Sequence, residues 1–306
     1  MKYLNNTLLF TPVVFLLSQC QVQENSAIAV KMPEEIPQTE FQEYWYRGLA
    51  ELNSYHLQQY RYGELREGDA VLVFVTEDFS KSKQVKLDHP EKAGADKVSV
   101  LKLNAVRKFK TGIYDYSILQ SVFTPVDIKN YPHTLKTSTS SQEWCGHTFT
   151  QLNLEEKDYR LTELSYFEDP GDRTTRIKKA MLEDELWTRI RIDPQSIPTG
   201  NVELIPSSLF ARLTHADIQP KQARIRLEKS EAMNLIVEYL HFDRTLTIRF
   251  EENFPHRILS WEESNGKDWL AGGLSKASLK KTIRSAYWTK NKNEFEPLRD
   301  TLQLTY

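Results

Sequence analysis

Apolar and polar positions alternate with period two over most of the chain, and that period predicts strands. The clearest case is Gln222 to Lys229, where Ala223, Ile225 and Leu227 point one way and Gln222, Arg224, Arg226 and Glu228 the other. Asn234 to Phe242 and Thr245 to Glu251 follow, joined at Asp243-Arg244, and Arg257 to Glu262 comes after Asn253-Phe254-Pro255. In the first half, Glu51 to Tyr62 and Asp69 to Asp78 flank a turn-like GELREG. The run AVLVFV in the second predicts a strand buried on both faces. Val98 to Phe109 and Ile113 to Phe123 flank Lys110-Thr111-Gly112. Leu101, Leu103, Ala105 and Phe109 share one face, and Tyr114, Tyr116, Ile118 and Val122 share a face of the partner. Thr134 to Ser141, His147 to Leu154 and Tyr159 to Phe167 continue the pattern.

Helical spacing is rare. Glu40 to Leu52, Glu183 to Ile190 and Phe295 to Leu304 are the short helices expected, and strands give way to helix and loop over Asp169 to Pro220. About a dozen strands exceed what an open twisted sheet holds without curling. The expected fold is therefore mainly β: an antiparallel meander forming a curved sheet or incomplete barrel with a few short helices. Residues 40–306 form a single β-rich domain or two β-halves joined through 169–220.

The first residues change the picture. Lys2, the apolar run Leu8 to Leu17 and Leu17-Ser18-Gln19 before Cys20 resemble a bacterial lipoprotein export signal. The apolar run is too short to span a bilayer. On this reading 1–19 is a signal peptide, Cys20 carries the lipid, and 20–39, polar with two prolines, is a flexible tether. The expected location is the bacterial cell envelope, facing the periplasm or the surface. Acylation of Cys20 leaves Cys145 alone, so no internal disulfide is expected. Hydrophobic residues make up 40% and charged residues 27%; the formal net charge of -2 excludes a global field for nucleic acid.

Candidate chemistry is concentrated at Glu143, Cys145 and His147 in SSQEWCGHT. These are the residue types of a thiolate nucleophile or half a metal site, and on an extended strand they share a face. The competing reading is a bend at Gly146 with Cys145 and Trp144 as packing residues. Asp169, Asp172 and Asp184 could meet around an ion, or simply belong to turns. Asp69, Glu77, Asp78, Asp115 and Asp127 form no acid pair, and His215, His241 and His256 are isolated. GxGxxG, P-loop, GxSxG and HExxH motifs are absent, so no cofactor and no metal are expected. Lys276 to Lys292 carries six cations and no acid. It could face lipid headgroups or a partner, or be the solvated face of an edge strand. The many aromatics of the first half suit packing on a concave sheet or the lining of an apolar pocket.

EYWYRGLAELNSY, RYGELREGDAVLVFVTEDFSKSKQVKLD and TSSQEWCGHTFTQLN resemble a family of uncharacterised lipoproteins of Gram-negative bacteria. Some members carry the label septum formation inhibitor Maf. That label implies a nucleotide pyrophosphatase, but no SPRR-type motif stands in this chain, so the activity is not carried over. In outline the meander is also similar to LolA-like half-barrels that cup lipid chains. These resemblances imply no catalytic residues. The expected role is a membrane-anchored envelope lipoprotein binding a lipid or other apolar ligand in its curved sheet. The alternatives are a structural or protein-interaction lipoprotein with an envelope protein partner or, third, a thiol enzyme or hydrolase using Glu143, Cys145 and His147.

Overall fold

The computed structural model describes Met1 and residues 38–169, 171–266 and 272–305. The leader, Cys20 and nearly all of the tether lie outside the described residues. Helix α1 (Gln38–Trp45) leads into a first meander: β1 (Ala50–Arg61), β2 (Glu64–Ser80), β3 (Lys97–Thr111), β4 (Tyr114–Pro125), β5 (Lys136–Glu143), β6 (Gly146–Leu154), β7 (Asp158–Ser165) and β8 (Arg173–Lys178). After β9 (Met181–Leu182), α2 (Leu186–Ile192), β10 (Gly200–Ile205) and α3 (Ser208–Thr214), a second meander runs through β11 (Lys221–Lys229), β12 (Met233–Tyr239), β13 (Thr245–Phe250), β14 (Ile258–Ser264) and β15 (Leu274–Ser285). Helix α4 (Leu298–Thr301) follows.

The strands form one 15-stranded sheet, ordered β8 to β1, then β15 to β9. The two meanders meet where β1 pairs antiparallel with β15, from Ala50 opposite Ser285 to Gln58 opposite Lys276. The two edges of this sheet, β8 and β9, are consecutive in the chain, with only Lys179 and Ala180 between them. Laid flat, the edges would stand about 67 Å apart at ~4.8 Å per strand. The three-residue step from Lys178 to Met181 spans at most about 11 Å. The sheet must therefore curl round until its edges meet. The seam carries no ladder between β8 and β10 among the described residues. Instead Lys178 Nζ reaches Glu203 at 2.6 Å, and Ile177, Ala180, Leu182 and Ile205 share one apolar cluster with Leu152, Tyr159 and Leu161.

Several local expectations need correction. The predicted helix Glu40 to Leu52 ends at Trp45, because Gly48 turns the chain at φ +67° and Ala50 starts a strand. GELREG is not the turn: Tyr62 and Gly63, at φ 55° and 78°, make a two-residue hairpin connection, and Glu64 onward is extended. Positive φ at both positions matches the right-handed twist of the flanking strands. Asp169 to Pro220 contains β8, β9 and β10 beside its helices. Lys276 to Lys292 is not an edge: β15 is an inner strand between β1 and β14. Lys280 sits at a bulge in that strand and is bound by Asp69 at 2.6 Å.

AVLVFV is covered on both faces. Leu72 and Phe74 point into the main core, while Val71, Val73 and Val75 lie outside under Leu302 and Leu304 of the C-terminal segment. The expected inward faces of β3 and β4 both join the main core.

Candidate functional site

The concave side of the sheet is occupied by the chain itself. Every residue of α2 is buried, and Leu186, Trp187, Ile190 and Ile192 belong to the same core as the inward side chains of β1 to β4 and β11 to β15. Trp187 packs edge-on against Trp261 at 5.2 Å, and Trp261 lies 4.8 Å from Tyr55. The cavity left between Trp187, Trp261, Leu209 and the β3–β4 wall is about 10 Å³, which is room for one water at most.

This interior is highly charged. Along β1 the odd positions turn inward, so Glu51, Asn53, Gln59 and Arg61 are buried beside Tyr55 and Leu57. Arg191 on α2 binds Glu51 through Nη1 at 2.6 Å and Nη2 at 2.8 Å, and its Nε donates to the Pro255 carbonyl at 2.7 Å. Glu51 also accepts from the Tyr44 hydroxyl and from Asn53 at 2.8 Å. Burial alone would raise the Glu51 carboxyl, but the guanidinium and these donors hold it at about 2. Arg107 binds Glu263 at 2.7 and 3.1 Å. The adjacent acids Glu183, Asp184 and Glu185 are all buried. Glu183 pairs with Arg244 and Tyr239, and Glu185 with Arg189 at 2.9 Å. Asp184 meets only serines: Oδ2 accepts from Ser208 Oγ at 2.9 Å, while Oδ1 has no partner among the described residues. Burial without a counter-charge pushes its carboxyl up to about 6.

The structure rearranges the residues singled out in the sequence. Trp144 and Cys145 form the two-residue connection between β5 and β6, so Glu143 pairs with Gly146 and His147 lies opposite Gln142. They are a hairpin tip, not three residues on one strand face. Cys145 is exposed and in no disulfide among the described residues. Its N–H donates to Glu143 Oε2 at 3.1 Å, and the same carboxylate raises the thiol above its ordinary value, away from the thiolate a nucleophile needs. Gly146 is required by contact, since a Cβ there would stand 2.5 Å from the Tyr166 ring. The three aspartates stay apart in role. Asp172 accepts from Ser165 N at 2.8 Å, Asp169 lines a surface cavity and Asp184 is in the interior. No cluster of three metal-ligating side chains occurs among the described residues.

Two recesses open outward. An apolar groove of about 780 Å³ beside α1 is lined by Phe41, Tyr46, Val98, Ile128, Tyr131 and Ile192, among others. A polar cavity of about 170 Å³ sits at the seam, between β6–β8 and the segment following α3. Arg212 lines it, and burial lowers its guanidinium below the ordinary arginine range. Sequence reasoning passed over Arg212, Arg191 and Glu51, since none belongs to a motif. The one available signal was the unbroken acidic run 183–185 next to apolar residues. Beyond the recesses, three neighbouring hairpins of the β3–β8 wall end in exposed apolar side chains: Ile113 at 83%, Trp144 at 70% and Tyr166 at 68%.

No protein-family model matches the chain, and no curated protein matches it. Among solved structures, the chain is similar to one titled "Crystal Structure of Beta-barrel-like Protein of Domain of Unknown Function DUF1849 from Brucella abortus". Identity is 8% and the TM-score is 0.46, over 77% of this chain and 97% of that one.

Proposed function

We propose that this chain is a lipid-anchored cell-envelope protein that acts as a rigid interaction module, with its barrel interior filled by its own α2. The filling of the lumen carries this reading. A carrier of apolar cargo needs an open concavity, and here that volume holds helix, aromatic rings and paired charges, with a cavity of only about 10 Å³ beside Trp187 and Trp261. The contact surface is the row of hairpin tips at Ile113, Trp144 and Tyr166. Turns ordinarily take Gly, Asn or Asp, and the exposed Ile113 and Trp144 stand in the turns themselves, with Tyr166 beside them, its ring lying over Gly146 and against Phe167. The partner is an envelope protein, and Cys20 is the lipid attachment site, in keeping with the resemblance to Gram-negative lipoproteins. A photo-crosslinking side chain placed at Ile113 of the full chain in cells should give a discrete protein adduct that a probe on β11 does not. Equal labelling from both positions would defeat the reading. Cys20→Ser should release the protein from membranes, and continued retention would count against the anchor.

The groove beside α1 favours a second reading, an apolar ligand bound outside the barrel. Its volume lies in the range of small-molecule sites, and its walls are largely apolar. Native mass spectrometry of the gently purified full chain separates the two. A lipid-sized adduct lost in Ile128→Asp supports the ligand reading, and a clean protein mass supports the interaction module.

A further inference from the structure

Arg212 is anomalous in this structure. Its side chain is only 9% exposed. Its Nε is buried without a hydrogen-bond partner among the described residues. The nearest carboxylate, Glu143, stands at 3.9 Å, beyond hydrogen-bonding length, and the other oxygen of Glu143 is engaged by the Cys145 N–H. The Phe167 ring lies 5.1 Å from the guanidinium carbon. A guanidinium carries five donors, and burying them unmatched is costly. Of the other interior arginines, Arg107, Arg191 and Arg244 are each bound by a carboxylate through two nitrogens, Arg189 is bound by Glu185 through Nε, and Arg61 donates to the Leu213 carbonyl and to the Tyr62 and Tyr116 hydroxyls. Arg212 differs from these five in lining the seam cavity, which is large enough to admit a partner from solution.

The charges around that cavity restrict the partner. Arg173 lines it too, but its cation is matched by Glu163 at 2.5 Å. Asp169 and Asp217, both exposed, stand on the same lining and leave it with one more anion than cation. A simple anion attracted to Arg212 would meet these carboxylates as like charges. A molecule with a carboxylate at one end and an ammonium at the other meets neither penalty. The cavity of about 170 Å³ lies below the range of drug-sized sites and suits a small molecule.

We propose that the seam cavity is a binding site for a small α-amino acid, its carboxylate held by Arg212 and its ammonium directed to Asp169 and Asp217. Guanidinium and carboxylate match as a planar two-bond pair, which would satisfy donors that the fold leaves unmatched. The site lies between the β7–β8 hairpin and the α3 connection, so occupancy would tie the two sides of the seam together. It shares the β7–β8 hairpin with the tip residue Tyr166, but its lining does not include Ile113, Trp144 or Tyr166.

The test is calorimetric titration of the full chain with L-alanine, acetate, methylamine and inorganic phosphate. Saturable binding of alanine is expected, with acetate, methylamine and phosphate each at least about tenfold weaker. Arg212→Gln should abolish alanine binding, and Asp217→Asn should weaken it several-fold. Absence of alanine binding, equal binding of acetate or phosphate, or full binding by Arg212→Gln would each overturn the proposal. If Arg212→Gln fails to fold, the exposed Asp217→Asn decides, and unchanged alanine affinity there overturns it.

Discussion

Arg191 and Glu51 face each other with neither side chain exposed, joined by two parallel hydrogen bonds of 2.6 and 2.8 Å across the barrel interior. The pair fixes α2 to β1. A buried pair contributes little net stability, but removing one partner strands the other charge. Arg191→Met should therefore destabilise the fold by about 3–5 kcal/mol, read from denaturant midpoints.

The same pair sets the acid limit of the fold. The Glu51 carboxyl falls from an ordinary 4.5 to about 2 on folding. Its contribution is present above pH 4.5 and disappears as pH drops toward 2, amounting to about 3 kcal/mol on the linkage relation. Glu51→Gln should flatten the fall in melting temperature between pH 4.5 and 2. An unchanged acid limb would contradict this.

Asp184 has the opposite sign. Its carboxyl rises from 3.8 to about 6, so the folded state holds a proton that the unfolded state releases between these values. Stability due to this group declines as pH climbs from about 4 to 6, and above pH 6 the ionised form is a burden of about 3 kcal/mol. Asp184→Asn should accordingly raise the melting temperature at pH 7.5 and change it little at pH 4.

The Cys145 thiol answers to Glu143. That carboxylate raises the thiol, so alkylation by iodoacetamide at neutral pH should be slow although the residue is exposed. Glu143→Gln should speed it. A faster wild type than variant would mean that the hairpin-tip geometry is wrong.

The C-terminal segment is part of the outer packing. Leu302 is buried on Ala50, Leu52 and Val73, and Lys280 bridges Asp69 and the Gln303 carbonyl. Leu302→Ala should cost about 2 kcal/mol, the low end for a buried leucine, and deletion from Leu298 onward should expose the apolar stripe and promote aggregation. Trp144→Ser at the hairpin tip should shift stability by less than about 0.5 kcal/mol, measured in the same denaturant series.

Period-two alternation made the meanders legible, because a strand buried on one face writes its orientation into every second residue. Leu101 to Phe109 and Tyr114 to Val122 point inward as their sequence demands. The number of strands required curvature, since an open sheet that wide curls. Connections were less legible: GELREG reads as a turn where Glu64 onward is strand, and alternation across Trp144-Cys145 reads as strand where the chain turns. Only the tertiary structure decided what fills the curve. Alternation on β1 cannot reveal that Glu51, Asn53, Gln59 and Arg61 are inside, because polar residues point inward only when another element brings their counter-charges. For Glu51 that element is α2, whose Arg191 lies 140 positions along the chain. The placement of β15 between β1 and β14, and the approach of Arg212 to a cavity at the seam, are likewise products of long-range closure. No local pattern encodes them, since they arise when a sheet whose first and last edges are joined by two residues has no option but to come round on itself.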